Sequence, residues 1–87
     1  MPAPSPIADQ KARLIEVFET IRRELSYLNT LAATQITILA NETDDKVMDT
    51  VVINGEAAEH HVNHMLAASA LATLIIAEML AILPPGP

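Results

Sequence analysis

The stretch "MLAASALATLIIAEMLAIL", residues 65–83, is interrupted by only three polar side chains, Ser69, Thr73 and Glu78. On a helix advancing about 100° per residue, Ala58, Val62, Met65, Ser69, Ala72, Ile76 and Met79 form one line. Leu71, Ile75 and Ile82 form a second stripe about 100–140° away, and Leu74 lies farther round. One partner helix covers one stripe, not both. A lone hairpin of helices would therefore leave a contiguous apolar patch in water, which monomers rarely tolerate. Other copies of the chain, a partner helix or a bilayer must cover it.

Composition points the same way. Eighty-seven residues allow one domain near the lower size limit for an unaided core. Cysteine is absent, and Phe18 and Tyr27 are the only aromatics, yet 51% of the chain is apolar. An aliphatic core without large rings gains little area per residue, so oligomerisation is the expected supplement. Two glycines and many alanines favour helix over sheet. The net charge of −6 argues against nucleic acid, because phosphate binding needs clustered cations and Lys11, Arg13, Arg22, Arg23 and Lys46 are all there are. These five precede Val47, whereas Asp49, Glu56, Glu59 and Glu78 follow it. The split is read two ways: bases facing acids within an assembly, or both simply solvated. The first residues lack a basic segment followed by an apolar run, so a cytoplasmic protein is expected.

Along the chain, residues 1–5 read as a flexible proline-rich arm, 6–83 as a single helical domain, and 84–87 as a proline-rich tail. Ser5 suits an N-cap and Pro6 a first helical position. Leu14, Phe18, Ile21, Leu25, Leu28, Ala32, Ile36 and Leu39 recur at helical spacing and predict a first helix over about 6–40. "NETDDK" predicts a turn at 41–44, with Asn41 ending the helix in the left-handed conformation. A second helix follows over about 44–83, with Val47, Val51, Ala58, Val62, Met65, Ser69, Ala72, Ile76 and Met79 facing inward. Asn54-Gly55 predicts a kink or break in it. The expected fold is thus an all-α antiparallel helical hairpin that assembles as a helical bundle. The alternative is an α-β-β-α order, with a β-hairpin over 34–53 formed from the β-branched "TQITILA" and "DTVVI".

His60, His61 and His64 are spaced so that some pair shares a helix face, which makes His61 and His64 weak candidates for a metal between subunits. On the inward line chosen above, however, His61 lies at the core edge, about 120° separates His64 from that line, and His60 points away. The imidazoles are expected to diverge and to act as partly buried or solvated side chains. No metal or other cofactor is assigned. No nucleophile constellation or phosphate loop is present, so no catalysis is expected.

The expected function is that of a non-enzymatic, self-associating, small acidic subunit, structural or adaptor-like. Its interface for a homo-oligomer or a partner helix is expected at Met65, Ala68, Leu71, Ala72, Leu74, Ile75, Ile76, Met79 and Ile82. A membrane-active protein using residues 65–83 and a metal-binding bundle using His61 and His64 are the alternatives.

Overall fold

The computed structural model describes residues 6–42 and 44–83. Two helices, α1 (Ala8–Asn41) and α2 (Val47–Ile82), run antiparallel as a hairpin. The chain forms a rod with extents of 66 × 23 × 21 Å. No strand occurs among the described residues, so the α-β-β-α alternative is overturned.

The β-branched stretch near the end of α1 is helical, and its threonine hydroxyls are accommodated within the helix. Thr30, Thr34 and Thr37 each turn their hydroxyl back onto the carbonyl four residues earlier, at 3.2, 3.0 and 3.0 Å. The hydroxyls are thereby satisfied without leaving the helix, although such back-bonding adds little stability.

Helix ends differ in detail from the sequence expectation. Ser5 and Thr43 lie outside the described residues. Asn41 is the last residue of α1 and not a left-handed cap: no non-glycine residue among those described has positive φ, and Glu42 leaves the helix in an extended conformation. The Asn41 amide instead donates to the Thr37 carbonyl at 2.9 Å. Asp44 organises the turn, its carboxylate accepting from the Lys46 N–H at 2.9 Å and its carbonyl from Val47 at 3.1 Å. The break expected at Asn54-Gly55 is absent, because α2 passes through both residues as one helix.

The contact seam between the helices is regular. On the α1 side it comprises Ile7, just before the helix, and Gln10, Leu14, Val17, Ile21, Glu24, Leu28, Leu31, Gln35 and Ile38, all buried or half-buried. On α2 it comprises Val47, Val51, Asn54, Ala58, His61, Met65, Ala68, Ala72, Ile75 and Met79. Both lines alternate steps of three and four without exception, the pattern that keeps two helices in register. The inward stripes expected from sequence are corrected by one position at several turns. Phe18, Leu25, Ala32, Ile36 and Leu39 on α1 are exposed, as are Val62, Ser69 and Ile76 on α2. Each sits one residue after a seam position, so the expected stripes mixed the seam with its neighbour.

Three kinds of layer make up the seam. Away from the turn, with Gln10 as its polar member, it is built on an apolar cluster: Val17, Ala68, Ala72 and Ile75 are buried, and Leu14, Ile21 and Met79 pack against them. The small Ala68 and Ala72 let α2 approach α1 closely, and Ile75 is 0% exposed. Near the turn a polar pair crosses the seam. Gln35 donates from Nε2 to the Val51 carbonyl at 2.8 Å, and Asn54 donates to Gln35 Oε1 at 3.3 Å. Glu24 lies between these two regions.

Candidate functional site

Two features stand out from an otherwise plain hairpin: a charged layer in the seam and an apolar side.

Glu24 is the one charged residue buried among the described residues, its side chain 9% exposed. His61 Nδ1 donates to Glu24 Oε2, and His64 Nδ1 stands 3.6 Å from Oε1. Tyr27 stacks on the His61 ring with centroids 5.2 Å apart, and His60 lies against His64 at 4.3 Å. The expectation of diverging imidazoles is therefore corrected. Moving the seam by one residue turns His61 inward and brings His64 to its edge, and both rings then converge on the carboxylate. The His61 hydrogen bond is the main influence holding the Glu24 carboxyl below the ordinary carboxylate range. Burial opposes it, and the positive charge of His61 and the proximity of His64 reinforce it. The geometry is that of a buried ion pair, and among the described residues no group of three His, Asp or Glu is arranged to hold a metal ion.

Glu24 escaped sequence reasoning because it sits within "FETIRREL", which reads as a solvated helix back. A signal was present. The line through Ile21, Glu24 and Leu28 keeps the strict three-four alternation, whereas the line through Leu28, Ala32 and Ile36 takes two successive steps of four.

The second feature follows from the first. In antiparallel helices, positions one after each seam residue fall on the same side of the hairpin in both helices, and positions one before fall on the other. Arg13 and Glu78 confirm this geometry: each precedes a seam position, and they pair at 3.3 Å. That preceding side is polar along α1, with Glu16, Thr20, Arg23, Thr30, Thr34 and Thr37. The following side is apolar in both helices. It carries Ile15, Phe18, Leu25, Ile36 and Leu39 from α1, and Met48, Val52, Val62, Leu66, Ile76 and Leu80 from α2. Eleven of the seventeen large apolar side chains exposed among the described residues thus lie on one flank.

The sequence-predicted interface residues divide accordingly. Ala68, Ala72 and Ile75 are buried in the seam, with Met65 and Met79 half-buried along it. Ile76 is on the apolar flank, Leu71 and Leu74 are exposed on the opposite side, and Ile82 is exposed at the end of α2. The charge split expected between the halves of the chain appears within the hairpin as the Arg13–Glu78 pair, whose partners are each 51% exposed. Compared with family models, curated proteins and solved structures, the chain matches none, so its function has to be read from these surfaces.

Proposed function

We propose that the protein is a non-enzymatic, self-associating structural or adaptor subunit whose apolar flank packs against a second copy to form a four-helix bundle. The observation that carries this reading is the segregation of exposed apolar side chains to one flank. Surface area supports it. The whole chain exposes 6677 Å². A compact monomer of its mass would expose about 5,000 Å². The excess, about 1,700 Å² per chain, is about twice the roughly 800 Å² that each partner of a standard stable interface buries. Charge favours a second copy over a bilayer. Arg22 and Glu59 stand on the flank near its middle, opposite in sign and on different helices. A two-fold related copy can set one against the other, whereas lipid would have to accept both.

The test introduces charge on either side of the hairpin. Leu66 and Leu74 are 64% and 63% exposed, on the apolar flank and the opposite side respectively. An Ile36→Glu, Leu66→Glu variant is expected to sediment as a helical monomer, while Leu74→Glu keeps the wild-type mass. Equal masses for the two variants would reject the reading.

Membrane insertion of α2 is the second reading, favoured by one observation. The helix is long and apolar enough to cross a bilayer, and only 11% of its most apolar window is buried. Fractionation separates the two, since recovery in the soluble fraction without detergent rejects insertion.

A further inference from the structure

We infer that Glu24, His61 and His64 form a pH-sensitive clasp, which holds the hairpin most firmly in mildly acidic solution and relaxes as the imidazoles lose their protons. The argument starts from what surrounds the carboxylate. The neighbouring seam positions are Ile21 and Leu28 on α1 and Ala58 and Met65 on α2, none of which carries a compensating charge. No Lys or Arg reaches Glu24 among the described residues, and the adjacent Arg23 is turned to the Thr20 hydroxyl at 3.4 Å. The positive charge that balances this buried carboxylate therefore comes from histidine, the side chain that changes charge between about pH 5 and 8.

The groups facing the clasp come from both helices. On α1, Tyr27 stacks against His61. On α2, His60 abuts His64. When the rings are neutral, His61 still donates one hydrogen bond from Nδ1, but His64 at 3.6 Å offers Glu24 neither a charge nor a hydrogen bond. The clasp then loosens without opening. When Glu24 itself is protonated at low pH, the two imidazolium rings face a neutral acid and the attraction is lost. Hairpin stability therefore rises and falls across the acidic range. This inference does not depend on self-association, because the clasp joins the two helices of one chain.

Thermal melting of the full chain between pH 4 and pH 8 tests it. The wild type is expected to melt highest at mildly acidic pH and several degrees lower at pH 8. Glu24→Gln should flatten that alkaline fall, and His60→Gln should leave it in place. Should Glu24→Gln fail to fold, the His61→Gln, His64→Gln double variant reads the same limb and is expected to be flat. A profile in either variant that parallels the wild type overturns the clasp. So does a rise in melting temperature with equimolar zinc that Glu24→Gln abolishes, because the cluster would then be a metal site.

Discussion

At Ile75 the seam is completely closed, and no other large side chain among the described residues reaches that state. Its loss should be felt out of proportion to its size. Ile75→Ala is expected to destabilise the hairpin by about 2–4 kcal/mol in urea unfolding, through lost burial and the cavity left behind. Leu74→Ala, one residue away and exposed, should change stability by less than about 0.5 kcal/mol. Glu24 provides the complementary case at acid pH. Its folded carboxyl titrates below the ordinary range, so its contribution is fully present above the unfolded carboxylate value of about 4.3. That contribution is lost as pH falls through the lower folded value. Acid unfolding followed by circular dichroism should therefore show stability falling in the wild type as pH drops below about 4.3. In Glu24→Gln this step should disappear.

Among the elements, α2 contains an informative irregularity. Gly55 lies mid-helix, its backbone has no positive φ, and a Cβ added there would meet nothing within 4 Å. The glycine thus brings the entropic cost of helix formation without a steric need inside the hairpin. Gly55→Ala, measured by thermal melting in the Ile36→Glu, Leu66→Glu background, which blocks the proposed self-association, is expected to gain about 0.5–1 kcal/mol. The helices themselves were legible in the sequence, because periodicity and proline placement define them over long stretches. Which face turns inward was not. The apolar arc on both helices is wide enough to contain the seam and the flank together, and a stripe drawn through Leu14, Phe18 and Ile21 touches both. What selects the seam is a match across helices: Glu24 with His61 and His64, and Gln35 with Asn54. One helix read alone does not reveal such pairings. Buried polar partners of this kind are costly if misaligned, so they favour one register over its neighbours. The Arg13–Glu78 pair contributes far less to that choice, since exposed ion pairs are worth roughly 0–1 kcal/mol.

At the scale of the molecule, two helices have one face each for the other and must present the rest outward. In a rod 66 Å long and little more than 20 Å across, that leaves most apolar side chains without cover, and this chain collects them on one flank. Its opposite side is threonine-rich along α1 and carries the Arg13–Glu78 pair. In the proposed bundle the apolar flank is the inside, and the threonine-rich face of α1 is part of the outside. The need for cover was legible in residues 65–83 alone; its direction required knowing that Ala68, Ala72 and Ile75 are already spent on α1. The most direct test is the wild-type mass by sedimentation equilibrium in detergent-free buffer, at a low and a high concentration. Self-association predicts a mass that is a multiple of 9.4 kDa at the higher concentration. A soluble monomer of 9.4 kDa at both would contradict it.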